Sequence, residues 1–550
     1  MRNARISIIV AAAVVAAMSV AVGSPEGHNS ARAASNPRLP PLPTQPMAAA
    51  ERVRITANVK ELLDWNKDEV PGFVVGIWSP KQGVYRASFG RADLNSPARP
   101  QLGSSFRIGS VSKTFTATVI LQLVDEGKLK LDGTVKQYVP TLARRYPAIG
   151  SRTIAQLLGM RTGLPEYADA AVKVFTRATQ RIWKADELIA LGMRSGPVKP
   201  AGGRTSAYSN TNYVILGQIA QAVTGTAFDR LVRQRLLGPL GLRHTVYPRP
   251  TDTRLPAPLV RGYIGPSGAA EIAQLGGEAE AGTDATRWNP SWGNAAGMMI
   301  STIDDLARWG NGVSGNALLP PGLQKLRLAT TRMNESFRYG LGILTLTGGR
   351  WTGHEGGIPG YTTWVLKDVK TGTVVVSVVN ACCGGAPATV TVDLLKRLYP
   401  ETLVTGPVLK GGARYALSPT TSFTSPSGWR IDTEGTSEGV LRAVKPSVVF
   451  DIADVLTIPE DQTFESFTTL LHDVASAGGA TVSAQKPFTT TSGLEGVTWS
   501  SRAPTGSRET WLVTNGRTVA KLDSDGSASS VRGVSQELDR MARSIRMTPP

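Results

Sequence analysis

Between Phe106 and Val124 the sequence reads FRIGSVSKTFTATVILQLV, and this stretch constrains the chain more than any other. Ser110 and Lys113 stand three residues apart, and Phe115, Val119, Ile120, Leu123 and Val124 follow at helical spacing. The pattern predicts a buried amphipathic helix opened by the pair. Three residues are almost one turn, so the hydroxyl and the amine share a face within hydrogen-bond reach. A serine hydroxyl is a weak nucleophile at neutral pH and needs a base. Lysine serves once desolvation and neighbouring charge lower its pKa, and a helix start offers backbone N–H groups to an oxyanion. The spacing alone is a weak signal, as the chain itself shows: Ser483 and Lys486 repeat it ahead of Pro487, with no helical apolar run behind them, and they are assigned no catalytic role.

Two further constellations carry chemistry. Pro200 to Gly203 breaks the chain and presents Tyr208-Ser209-Asn210 on a loop ahead of the helical pattern Tyr213 to Val223. A phenol beside the Ser110–Lys113 pair can relay protons, and an amide next to it can orient a substrate amide and fix the lysine. The ordinary alternative is packing and capping before a helix. The spacing Y-x-N occurs nowhere else in the chain. His354-Glu355-Gly356-Gly357 forms the third constellation. Its glycines let a substrate backbone lie against an edge strand while His354 supplies a donor; the ordinary alternative is a strand histidine satisfied by a neighbour. Lys370-Thr371-Gly372 follows Asp368 between two strand patterns, where turn chemistry explains it.

With 550 residues, 41% hydrophobic and 19% charged, the chain is globular and long enough for at least two domains. Its net charge of +18 is spread, with no basic run interleaved with aromatics, so no nucleic-acid partner is expected. In an exported protein that charge favours a salt-sensitive attraction to anionic cell-envelope surfaces. The four histidines are scattered and the two cysteines adjacent, which supplies no zinc ligand set; no metal and no cofactor are expected. Arg2 and Arg5 precede the apolar run Ile6 to Val22, with small residues at Ala21 and Gly23 or at Ala31 and Ala33. Residues 1–34 therefore read as an export signal, with an uncleaved membrane anchor as the alternative, and residues 35–46 as a Pro-rich spacer. The protein is expected to be secreted, extracellular or bound to the envelope. Neighbouring cysteines have Cα atoms about 3.8 Å apart, below the usual bridging range. Cys382 and Cys383 are expected as free thiols or a labile bridge.

Coarse patterns fill in the elements. Met47 to Glu69 predicts a helix, Gly72 to Trp78 and Tyr85 to Phe89 a strand pair, and Thr153 to Met160 and Lys184 to Met193 two more helices. Thr302 and Asp305 form a capping box ahead of Leu306 to Trp309. Tyr339 to Leu344, Arg350 to His354, Tyr361 to Leu366 and Thr373 to Asn380 predict an antiparallel sheet, closed by a helix from Val390 to Leu398. Residues 47–404 make the first domain, 405–427 a Ser/Thr/Pro-rich linker, and 428–550 a small α+β domain. In the latter, Phe464, Phe467, Leu471 and Val474 define one helix and Val534, Leu538, Met541 and Ile545 another. Trp511 to Thr514 and Arg517 to Leu522 flank the hairpin signal Asn515-Gly516.

Taken in order, S-V-S-K, Y-S-N and H-E-G resemble the motifs of the serine penicillin-recognising enzymes. The flanking segments TIAQLLGMRTGLPEY, YSNTNYVILGQIAQAVTG, AAGMMISTIDDLARW and GHEGGIPGYTTWV resemble the superfamily of class C beta-lactamases and D-alanyl-D-alanine carboxypeptidases, over about Ala50 to Pro400. The resemblance implies an α/β fold, an antiparallel sheet flanked by helices beside an all-helical region, with the site between them. It implies Ser110 as acylated nucleophile, Lys113 and Tyr208 as the acid/base pair, Asn210 and Gly356 in substrate binding, and His354 facing a substrate carboxylate. The backbone N–H groups of Ser110 and Gly357 would form the oxyanion hole. Histidine in the third motif, where many relatives carry lysine, looks more like the carboxypeptidase and esterase branches than typical beta-lactamases. The expectation is a secreted serine hydrolase resembling D-alanyl-D-alanine carboxypeptidases, acting on a small-molecule or peptide substrate, a peptidoglycan stem peptide or an ester. An esterase or weak beta-lactamase with the same site, and a non-catalytic ligand-binding protein of the envelope, are the alternatives.

Overall fold

The computed structural model describes residues 39–547, apart from 203–204, 335, 347, 383, 400–401, 404–408, 418–420, 426, 432–439, 446–447, 460, 478–479, 504–505 and 527. The export signal expected over residues 1–34 and the first part of the spacer lie outside the described residues. No helix among the described residues is long and apolar enough to cross a membrane.

The first elements are α1 (Ala49–Trp65), β1 (Gly72–Ser79) and β2 (Gly83–Gly90), followed by a helical region that includes α2 (Ser112–Asp125) and α3 (Thr211–Thr224). Then come α4 (Ile303–Val313), β3 (Thr331–Arg332), β4 (Phe337–Tyr339), β5 (Leu344–Leu346), β6 (Trp351–Ile358), β7 (Tyr361–Asp368), β8 (Val374–Val379) and α5 (Gly385–Leu398). The eight strands form one antiparallel sheet in the order β2-β1-β8-β7-β6-β5-β4-β3. The N-terminal hairpin is thus stitched to the last strand, with Val75 opposite Ser377. β1 (GFVVGIWS) and β8 (VVVSVV) are buried at every residue, as central strands covered on both faces require, whereas β2 at the edge mixes buried and exposed positions. On β7, Trp364 donates its indole N–H to the Ala388 carbonyl on α5 at 3.2 Å. Its neighbour Val365 lies against Gly310 of α4, where an added Cβ would come within 2.5 Å of Val365 Cγ1. Successive strand residues point to opposite faces, so α5 and α4 cover opposite sides of the sheet. Beyond α4, Trp309 stacks on Phe115 of α2 with ring centroids 3.8 Å apart. One large hydrophobic core runs from Met47 to Leu398 and joins the sheet to the helical region.

Several expectations are corrected. Residues 39–46 are not a free spacer: Leu39 and Leu42 pack on the core, and Asn311 donates to the Pro40 carbonyl. The strand expected from Tyr339 to Leu344 is two strands, because the chain turns at Gly340 to Gly342, with Gly342 at φ +72°. The capping box is only half present. Thr302 accepts from the Asp305 N–H, but the Asp305 carboxylate turns to the His244 N–H and the Thr245 hydroxyl. Cys382, fully buried at the end of the strand Ala381–Cys382, is disulfide-bonded, so the free-thiol alternative falls. The other cysteine of the sequence, Cys383, lies outside the described residues.

A second core begins earlier than residue 428. Leu409 and Phe423 are buried in one cluster with Trp429, Phe450, Trp511 and Leu538, so the polar stretch expected as a linker already carries core residues. The strand Thr421–Thr424 pairs with Arg414–Ala416 and Arg546–Met547. The main sheet here runs Arg430–Ile431, Val440–Lys445, Val448–Thr457, Thr518–Gly526, Gly506–Thr514, Glu495–Ala503, Thr481–Val482, all antiparallel. Helices Phe464–Ala477 and Ala528–Arg543 stand where the apolar periodicity puts them, and Gly516 at φ +98° makes the expected hairpin turn. These cores belong to one compact unit.

Candidate active site

Ser110 sits on a single 3₁₀ turn, Gly109–Val111, that feeds into α2, so the helix proper starts two residues after the serine. The turn is pressed against β6. An added Cβ on Gly356 would lie 2.0 Å from the Ile108 carbonyl oxygen and 2.8 Å from the Ser110 nitrogen. Gly109, at φ +47°, meets the backbone of Gly356 and Gly357 in the same way. Only residues without side chains allow this approach, which accounts for the glycines on both sides. Beyond Thr352 and Gly353, β6 makes no ladder with β5, which leaves the edge of His354 to Ile358 beside the serine.

The Lys113 ammonium position is fixed from three sides. Nζ donates to Ser110 Oγ at 2.7 Å, to Asn210 Oδ1 at 2.6 Å and to the Ala296 carbonyl at 2.9 Å. It lies 4.9 Å from the ring centroid of Tyr208. Tyr208 donates its hydroxyl to Ser110 Oγ at 2.7 Å. The structure thus brings Ser110, Lys113, Tyr208 and Asn210, separated by up to 100 positions in sequence, into one hydrogen-bonded cluster. Complete burial of Lys113 pulls its amine down to about 7, with the Glu166 and Glu355 charges opposing the fall. Burial, then the Glu355 charge, holds the Tyr208 phenol well above its ordinary value, so it stays protonated.

Sequence reasoning missed Glu166, in the loop RTGLPEY. Its Oε2 accepts from both the backbone N–H (2.6 Å) and the side-chain Nδ2 (3.1 Å) of Asn210, and its Oε1 from the Ala168 N–H. With Nδ2 committed to Glu166, the Asn210 amide must turn its oxygen to Lys113. Burial raises the Glu166 carboxyl, against these bonds and the lysine charge. No local motif announces it; the single carboxylate of that loop was the available signal.

His354 is the main correction. It is fully buried, bonds Tyr339 OH through Nε2 at 2.8 Å and the Glu355 carbonyl through Nδ1, and crosses the Tyr339 ring edge-on. Burial, and next the Lys113 charge, lowers its pKa to about 3. A neutral histidine without exposed surface does not face a substrate carboxylate; the alternative of a strand histidine satisfied by a neighbour describes it. Among the described residues no group of His, Cys, Asp and Glu is placed to hold a metal.

Residues 55–386 match the family model described as Beta-lactamase. Over 306 residues the chain is 28% identical to a D-aminopeptidase of Cereibacter sphaeroides, covering 53% of each. Over 190 residues it is 29% identical to the D-alanyl-D-alanine-carboxypeptidase/endopeptidase AmpH of Escherichia coli, covering 33% of this chain and 47% of that one. The chain spans about half the length of these curated relatives. Among solved structures, a D-stereospecific amidohydrolase from Streptomyces is 28% identical with a TM-score of 0.52, covering 60% of this chain and 94% of that one. The D-amino acid amidase of Ochrobactrum anthropi, complexed with L-phenylalanine amide, is 25% identical with a TM-score of 0.54, covering 62% and 96%.

Proposed function

Because the chain belongs to the beta-lactamase family of serine hydrolases, we propose that it cleaves a small amide or peptide through an acyl-enzyme on Ser110, with a D-configured residue on the acyl side. The observation that carries this reading is that Ser110 Oγ accepts hydrogen bonds from both Lys113 Nζ and Tyr208 OH. Neutral Lys113 takes the serine proton while it still donates to Asn210 and Ala296. Oγ then bonds to the substrate carbonyl carbon. The negative oxygen is held by the N–H groups of Ser110 and Gly357, on the turn and strand that Gly109 and Gly356 allow to touch. Tyr208, kept neutral, gives its proton to the leaving nitrogen and regains one from the Lys113 ammonium; the C–N bond breaks and the acyl group stays on Oγ. Water repeats the sequence on the ester, and Ser110 recovers its proton. A binding protein has no need of this buried base, which speaks against the non-catalytic alternative.

The carboxypeptidase reading rests on the partial match to AmpH, and it loses His354 as a carboxylate anchor. Names and structures of the D-aminopeptidase and D-amidase relatives support an amide with a D-residue instead. Cell-wall peptides as substrate, and export through residues 1–34, rest on the sequence patterns alone. The test is hydrolysis of D-alanyl-p-nitroanilide and its L enantiomer. Turnover of the D compound with little of the L is expected; preference for L, or for esters with no amide turnover, would overturn the reading.

A further inference from the structure

Resting on the proposed acyl-enzyme chemistry, we infer that Glu355 is a specificity-determining residue that binds the free α-ammonium group of the substrate's acyl residue. Glu355 directly precedes Gly356, whose backbone touches the Ser110 turn, so it stands one residue from the point where strand and nucleophile meet. It lies on the stretch of β6 that β5 leaves unpaired. Alternation along the strand turns it away from the side of His354 and Gly356, it is half-buried where His354 is sealed, and its charge still reaches the site, raising the pKa of both Lys113 and Tyr208.

Among the described residues the carboxylate has no hydrogen-bond or ion-pair partner, although burial raises its pKa. A partly desolvated acid without a donor is costly, and it is accounted for when a ligand supplies the donor. The other acid of the site is not available for this. Glu166 already accepts from Asn210 and Ala168. The ligand's chemistry follows from charge and distance. An acid selects a cation and repels a carboxylate. An α-amino group is one atom away from the carbonyl carbon that Ser110 attacks, so its partner must sit beside the nucleophile. The nearest competing cation, Lys113, is itself mostly neutral above about pH 7. Substrates with a free D-amino terminus fit; acylated termini do not.

The experiment compares kcat/KM at pH 7.5 for D-alanyl-p-nitroanilide and propionyl-p-nitroanilide, which differ only in the amino group, in the full-length protein and in Glu355→Gln. The wild type is expected to favour the amino compound, and the variant to lower the ratio by about 10- to 100-fold, the worth of one charge-assisted hydrogen bond. Glu355→Lys should reverse the preference. A merely structural role would lower both substrates together and leave the ratio unchanged, and that result overturns the inference, as does a wild type that prefers the propionyl compound. If Ser110 is acylated by a serine-directed probe but the ratio does not move, only the inference fails. If neither anilide is turned over and no probe labels Ser110, the acyl-enzyme reading fails and takes the inference with it.

Discussion

At the scale of single residues, the chemistry turns on Lys113, whose burial brings an amine that is normally charged into titration near neutral pH. Its pKa of about 7 predicts the sign of the pH profile. The base is the neutral amine, so kcat/KM for a neutral amide substrate should fall about tenfold per pH unit below the pKa and level off above it. A profile flat from pH 5 to 9 would remove Lys113 from the role of base. The same amine makes stability depend on pH. Its unfolded pKa is higher, so between about pH 7 and 10 the unfolded chain binds more protons at this site, and this contribution to stability grows as pH rises. Glu166 raises the Lys113 pKa through its charge and fixes Asn210 through two bonds. Glu166→Gln should therefore move the midpoint of the rate profile to lower pH while lowering the plateau; an upward shift would mean that the carboxylate does not act on the lysine. His354, at about 3, should show no titration between pH 5 and 8 by NMR.

At the scale of elements, the site depends on how closely β6 approaches the Ser110 turn. Gly356→Ala would place a methyl 2.0 Å from the Ile108 oxygen, so turn or strand must shift. Even a small displacement of a catalytic group costs about 100-fold, and overpacking costs about 1–3 kcal/mol. We expect loss of acylation of that order with a lowered Tm; full activity would show that the strand is free to move. Much of this layer is legible in the sequence. The α2 helix, the Y-S-N loop and the Val374–Val379 strand follow from apolar periodicity and glycine placement, and the cluster of Ser110, Lys113, Tyr208 and Asn210 from motif order. What escaped reading depends on partners remote in sequence. Glu166 acquires its role from Asn210, and His354 is sealed by Tyr339, neither of which periodicity reports. The polar stretch before residue 428 hid Leu409 and Phe423 because composition averages over the few apolar residues that decide burial.

At the scale of the whole molecule, the described residues hold three hydrophobic clusters, one from Met47 to Leu398 and two, around Trp429 and around Trp499, within Leu409 to Met547, and every group of the candidate site lies in the stretch spanned by the first. A chain cut after Leu403 is therefore expected to stay soluble and to keep its rate on D-alanyl-p-nitroanilide within a few-fold. Insoluble protein would show that the second core supports the first. The most direct test of the central claim is peptide mapping by mass spectrometry after reaction with a fluorophosphonate. One adduct is expected, on Ser110, absent in Ser110→Ala and formed orders of magnitude more slowly in Lys113→Ala. An adduct on Ser483, or undiminished labelling of Ser110→Ala, would contradict it.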